Sequence, residues 1–401
     1  MGQDDLQSLH AKYLRKLAAT DLTFKRYLMD QINWEVRMIG IKGARGVGKT
    51  TLLLQRIKEA FADLNEAFYV SLDDFWFLGH SLDELAHWLN SRGVRHLFLD
   101  EVHKYPKWRQ ALKNLYDDYP EMRIVYTGSS MLEIDHSKAD LSRRQTLYTL
   151  NVLSFREFLA FEGVLTMPAF PLEEMLNNHA GMAMEIASKI KVLRYFDQYL
   201  LRGCYPFYKE SGNDFLLRLD ETAQVVLEMD LPAVEEVTYQ TIQKAKALLM
   251  IIAKNVPLEP NIQTLVAELE TTRDLCLKLL YALDRAGLLL LLTDDPKSYK
   301  HLVKPKKIYL GNTNLMHAFA PSADVGTTRE TFFLNQLGVV AEVVMPKQGD
   351  FKVDGKHLFE VGGNNKSFDQ IADIPDSYLA VANMEIGYDR RIPLWMFGML
   401  Y

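Results

Sequence analysis

The sequence predicts an α/β protein whose first 150 residues form a parallel sheet covered by helices, followed by helical segments and a second, smaller α/β region. Two observations carry that expectation. Short apolar runs at 36–41, 67–72, 96–99 and 123–127 alternate with amphipathic patterns at 82–89 and 108–116, and strands buried on both faces read as such continuous runs. The first run also leads straight into a glycine-rich loop and then a helix start at Thr51-Leu52-Leu53-Leu54, a strand, loop and helix in succession.

Composition narrows the function classes. The chain has 401 residues, 48% of them hydrophobic and 24% charged, which leaves room for several domains. A net charge of −6 excludes a protein that coats nucleic acid through bulk charge, so any DNA contact is expected on a local basic face. Cys204 and Cys276 are far apart and lack metal-ligand spacing, which fits a reducing cytoplasm. The N-terminal stretch carries Asp4 and Asp5, and the longest apolar run, 288–292, is too short to cross a bilayer. A cytoplasmic location without membrane contact is expected.

The chain then divides by pattern. Residues 1–31 read as a leading helical brace, with Leu6, Leu9, Tyr13, Leu14 and Leu17 near helical spacing. Residues 32–150 hold the alternating strands and helices, and 151–240 form a leucine- and aromatic-rich helical connector. Residues 241–310 show helix patterns at 245–252, 262–269 and 272–283, then Gly287, an apolar run and a basic segment ending in Lys307-Ile308-Tyr309-Leu310. Three helices followed by a hairpin suggest a winged-helix module. Residues 311–401 have a helix pattern and short apolar segments at 339–344, 357–361, 377–382 and 393–397, the pattern of a small α/β domain.

The glycine-rich loop is Gly43-Ala44-Arg45-Gly46-Val47-Gly48-Lys49-Thr50, with Thr51 following. Glycines let backbone N–H groups curl around phosphate oxygens, and the helix that follows presents its positive end to them. Lys49 is placed to reach the β- and γ-phosphates and the Thr50 hydroxyl to ligate Mg²⁺. The loop therefore predicts binding of ATP or GTP with Mg²⁺. His96-Leu97-Phe98-Leu99-Asp100-Glu101 supplies the acidic strand end the loop needs: Asp100 as metal residue and Glu101 as the base that orients or deprotonates water. The strand over 123–127 ends in Thr127-Gly128-Ser129-Ser130, where Thr127 or Ser129 meets the γ-phosphate or the water, unless the segment is a plain turn. Arg143 and Arg144 are candidates for transition-state charge from the same subunit or a neighbour.

With these residues in place, the chain resembles the bacterial and archaeal AAA-family ATPases of the AAA_14 plus DUF4143 type. The resemblance rests on the glycine loop through Leu53, on Leu99-Asp100-Glu101-Val102-His103-Lys104, on Thr127-Gly128-Ser129-Ser130, and on Leu153-Ser154-Phe155-Arg156-Glu157-Phe158. Asp350-Phe351 and Phe359-Glu360-Val361-Gly362-Gly363 also look like that family's terminal motifs. The likeness implies a P-loop NTPase sheet and an ATPase, and names no process.

In the presumed winged module, Leu275, Leu279 and Leu283 should face the core and leave Arg273, Lys278 and Arg285 nearer solvent, with Lys304, Lys306 and Lys307 on the wing. That arrangement suits DNA, and equally a protein partner. In the tail, Asp350 and Glu360, with Glu330 as a possible third, are similar to the acidic set of the restriction-endonuclease-like fold. The lysine expected two residues after the second acid is replaced by Gly362, and the nearest is Lys366, so a degenerate domain without nuclease activity is expected. The combined expectation is an Mg²⁺-dependent ATPase that couples nucleotide state to DNA or partner binding, with nucleotide-dependent homo-oligomers possible. A slow ATP-driven switch with little turnover, or an ATP-gated nuclease, are the alternatives.

Overall fold

Five strands, β1 (Met38–Gly43), β2 (Ala67–Ser71), β3 (His96–Asp100), β4 (Arg123–Ser129) and β5 (Thr146–Thr149), pair in parallel in the order β2-β3-β4-β1-β5. The computed structural model describes residues 3–129, 141, 143–234, 238–295, 302–322 and 324–401; Ser130, the end of the polar cluster, lies outside them. Ile39, Ile41, Leu97, Leu99 and Ile124 are fully buried, which is why these strands read as unbroken apolar runs.

Helices α1 (Gln3–Ala19), α2 (Leu28–Gln31), α3 (Lys49–Ala60), α4 (Leu82–Ser91) and α5 (Trp108–Asp118) accompany this sheet. Helix α4 begins at a reciprocal cap: the Ser81 hydroxyl accepts from Glu84 N–H at 3.1 Å, and the Glu84 carboxylate accepts from Ser81 N–H at 2.8 Å, a device that stabilises a helix start by about 1 kcal/mol. Helix α1 buries Leu6, Leu9, Tyr13 and Leu17, and its Tyr13 ring lies 5.5 Å from Phe68 on β2. The leading helix thus belongs to the same unit as the sheet, which comprises residues 1–151 and 229–236.

The second unit comprises 152–228 and 237–401. It contains α6 (Phe155–Phe161), α7 (Leu172–Lys189), α8 (Val192–Arg202), α9 (Tyr208–Ser211) and α10 (Phe215–Val225), whereas the short α11 (Leu231–Val234) lies in the first unit. Then come α12 (Tyr239–Asn255), α13 (Ile262–Glu268) and α14 (Arg273–Arg285), followed by an antiparallel pair, β6 (Leu289–Leu292) and β7 (Lys307–Leu310). Helices α15 (Thr313–Phe319) and α16 (Val325–Leu337) precede a mixed sheet of β8 (Val343–Val344), β9 (Phe351–Val353), β10 (His357–Gly362), β11 (Ser377–Val381) and β12 (Arg391–Pro393), ordered β12-β11-β10-β9-β8.

Connector and tail share one core here. The Phe155 ring lies 5.3 Å from Phe196 and 5.6 Å from Tyr199, Phe196 lies 4.8 Å from Phe332, and the Ser154 hydroxyl donates to Tyr401 O at 2.7 Å. The apolar segment at 339–344 yields only the two residues of β8, because Val340 and Ala341 N–H groups donate back to Leu337 O and close the end of α16. Among the described residues no helix is long and apolar enough to cross a membrane.

Candidate functional site

The site begins where β1 ends. Gly43 pairs with Ser129 of β4, and a Cβ at Gly43 would stand 2.4 Å from Leu150 O, so the chain can pass there only without a side chain. Gly46 and Gly48 have φ of 83° and 97°, the left-handed region that glycine enters without steric cost. Gly48 caps α3, whose first turn carries no acidic residue; such a helix start offers N–H donors and a partial positive charge to an anion. Arg26 braces the loop from behind, donating to Val47 O and, at 2.8 Å, to Asn151 O.

Lys49 is buried and turned onto its own loop, its ammonium donating to Gly43 O at 2.8 Å and Ala44 O at 3.0 Å. Burial pushes its pKa down, and the charges of Glu101, Asp100 and Asp230 oppose that push. Thr50 faces inward, with its hydroxyl donating to Asp100 Oδ2 at 2.6 Å. Thr51 is exposed and takes no part in the cluster.

The acidic strand is not adjacent to the loop strand: β4 lies between β1 and β3. This puts Thr127 at the centre. Its hydroxyl donates to Asp100 Oδ1 and accepts from Glu101 N–H at 3.2 Å. Asp100, 2% exposed, also accepts from the Tyr69 hydroxyl at 2.8 Å, whose own pKa is raised by burial and by Asp100. Thr127 therefore holds Asp100 and Glu101 together.

Glu101 adopts φ 53° and ψ 42°, a left-handed conformation that costs a non-glycine residue of order 1 kcal/mol and concentrates at functional sites. Its carboxylate lies 3.4 Å from His103 Nε2. His103 Nδ1 accepts from Ser129 N–H at 3.4 Å, so in the neutral ring Nε2 carries the proton and points toward Glu101 and Asp230. Asp230, just before α11, stands with Oδ1 3.5 Å from Arg45, 3.6 Å from His103 and 3.7 Å from Lys104.

Arg144 is not brought to this cluster. It precedes Thr146, which pairs with Ile39 at the start of β1, at the end of the sheet opposite the loop. There it makes a two-point ion pair with Asp117, 2.9 and 3.0 Å. Arg143 is exposed.

The second unit separates its predicted site residues. Leu279 and Leu283 are buried, Leu275 half-buried, Arg273 and Lys278 exposed and Arg285 half-buried. Residues 279–283 of α14 are buried without interruption, so its exposed face is confined to the N-terminal half. Lys304 is exposed, but Lys306 pairs with Asp294 at 2.9 Å and Lys307 with Glu330 at 3.4 Å. Asp350 accepts from Val361 N–H at 2.8 Å, and Glu330 from the Tyr309 hydroxyl at 2.6 Å. Lys366 stands 3.6 Å from the buried Glu360, its stem filling the space where a Cβ at Gly362 would begin. Burial raises the Glu360 pKa, and Lys366 opposes it. Among the described residues no three acidic, histidine or cysteine side chains converge as a metal-binding group.

A glycine loop opening a helix at the end of a central parallel strand, with an acidic pair two strands away, defines a P-loop NTPase fold for the first unit. Residues 35–159 match the AAA_14 family model, described as an AAA domain. Over 289 residues the chain is 27% identical to the uncharacterized protein MJ1637 of Methanocaldococcus jannaschii, covering 69% of this chain and 61% of that protein, less than two thirds of the relative's length. Similar solved structures include C. elegans PCH-2 (TM-score 0.29, 15% identity, 58% of this chain and 67% of that one) and AMPPCP-bound DnaA from Aquifex aeolicus (TM-score 0.27, 13% identity, 75% and 92%). These scores are too low to assign a shared whole-chain fold.

Tyr69, Arg26 and Asp230 were not legible as site residues. Tyr69 is two residues before the end of a recognisable strand, so a paired-strand register would have found it. Nothing local marks Asp230.

Proposed function

We propose that the first unit binds ATP with Mg²⁺ and hydrolyses it. The observation that carries this reading is the Thr50 hydroxyl 2.6 Å from the Asp100 carboxylate, at the start of the glycine-loop helix, with Glu101 beside it. These two hard oxygen donors fit Mg²⁺, which when bound would neutralise charge on the phosphate oxygens. The loop amides cradle the phosphates, and Lys49 exchanges its bonds to Gly43 O and Ala44 O for phosphate oxygens. Glu101 accepts the proton of the attacking water, and Thr127 fixes its backbone relative to Asp100. ATP is preferred over GTP because of the AAA domain match. Lys49→Ala removes charge-assisted bonds of about 1.5–3 kcal/mol each, so ATP affinity measured by calorimetry should fall about 100-fold; equal affinity would refute the site.

The second unit is proposed to respond to nucleotide state by binding DNA or a protein partner. Three helices followed by an antiparallel pair, with Arg273 and Lys278 exposed on α14, support a winged-helix module. Charge reversal at both positions should weaken binding to duplex DNA in an anisotropy titration and flatten its salt dependence; an unchanged titration favours the protein partner.

A further inference from the structure

The charged cage around Asp230 is larger than the group it holds. Its side chain is 3% exposed, yet a single oxygen faces Arg45, His103 and Lys104 at 3.5, 3.6 and 3.7 Å, beyond good hydrogen-bond length. Ser129, paired in register with Gly43 of the loop, is the fourth member and bonds to Asp230 through its side chain. The His103 side chain is 1% exposed, and its Nε2 points between two carboxylates, 3.4 Å from Glu101 and 3.6 Å from Asp230, long for a hydrogen bond to either. Burial pushes the Asp230 pKa up, but His103, Ser129 and Arg45 outweigh it and hold the carboxyl below its usual value, so the seated group is an anion.

Three of these groups lie on the phosphate side of the sheet. Arg45 is in the loop itself, Ser129 ends β4, and His103 follows Glu101. A tetrahedral phosphoryl group has three acceptor oxygens and about two charges at neutral pH, where a carboxylate has two oxygens and one charge.

We propose that Asp230 is an internal placeholder for the terminal phosphate of a nucleoside triphosphate: a triphosphate displaces it from the Arg45, His103, Lys104 and Ser129 cage, and a diphosphate does not. This rests on the nucleotide site proposed above and deepens it. Asp230 becomes the residue that sets triphosphate against diphosphate selectivity, because a triphosphate must first take the cage from it and its apparent affinity is reduced by the fraction of cages left open. Displacement also releases residues 229–234, which lie in the first unit although the chain on either side of 229–236 belongs to the second. His103 then stands between Glu101 and the entering phosphate.

The test uses the full chain with Mg²⁺, ADP and the β,γ-imido analogue of ATP. Calorimetry on wild type and Asp230→Asn, a substitution of equal shape, should show the analogue binding about tenfold more tightly in the variant while ADP affinity stays the same. In wild type, deuterium uptake at 229–234 should rise with the analogue and remain unchanged with ADP, a readout that a general loss of negative charge would not produce. Equal gains for both nucleotides, or uptake that does not rise when the analogue is bound, overturns the placeholder and leaves the nucleotide site standing. Failure of wild type to bind either nucleotide overturns both.

Discussion

The first unit and the tail each hold a buried carboxylate next to a lysine, and they treat it in opposite ways. Asp100 receives donors from Thr50, Tyr69, Thr127 and Glu101 N–H, four bonds that fix the carboxylate beside the glycine loop. Glu360 has Lys366 at 3.6 Å and no hydrogen bond to Oε2, while Asp350 and Glu330 are bound to Val361 N–H and Tyr309. An acid followed on a strand by the right neighbours is therefore weak evidence of chemistry. Its donors and the surface it faces separate the carboxylate proposed to act on nucleotide from those bonded within the tail.

The sharpest way to break that contrast is a matched pair of substitutions. Asp100→Asn should lower ATP turnover about 100- to 1000-fold, the scale of losing one organised electrostatic group, whereas Asp350→Asn should leave turnover unchanged in a phosphate-release assay. Equal effects would erase the distinction.

A second test concerns burial without compensation. Burial pushes the Asp284 carboxyl from 3.8 up to about 7, although its oxygen accepts from Leu291 N–H at 2.9 Å. Because the folded pKa exceeds the unfolded one, the folded state retains its proton longer; stability is intact below about pH 4 and is lost as pH rises toward 7. Asp284→Asn should thus stabilise the protein by about 1–3 kcal/mol at pH 8 and by little at pH 4, as read from urea midpoints. A gain independent of pH would contradict the burial account.

Tyr69→Phe isolates one of the Asp100 donors. Leaving that carboxylate oxygen one bond short should cost about 1–2 kcal/mol in thermal unfolding; no shift would mean that Tyr69 does not support the acid. The smallest effect is expected at Arg144, whose pair with Asp117 lies at the surface and is screened by solvent. Arg144→Ala should leave turnover unchanged at every protein concentration. A drop that appears only as concentration rises would show that it serves a neighbouring subunit's site.

Sequence reading reached the residues that are contiguous. The loop from Gly43 to Thr50 and the Asp100-Glu101 pair carry their chemistry in their order, and strands buried on both faces announce themselves as apolar runs. It could not place β4 between the loop and the acid, because strand order is a long-range property, and so the bond from Thr127 to Asp100 was not foreseen. Arg26, Tyr69 and Asp230 reach the site from separate elements, with Asp230 129 residues beyond Glu101. Lys366 escaped the expected spacing because Gly362 leaves room for a lysine from farther along the chain.

Glu101 is proposed to supply turnover to a nucleotide site built by Lys49, Thr50 and Asp100. ATP hydrolysis and ATP binding measured side by side on Glu101→Gln test it most directly. Binding should be retained while turnover falls about 100- to 10,000-fold, the range for removal of a general base. Hydrolysis at the wild-type rate with ATP bound would contradict it.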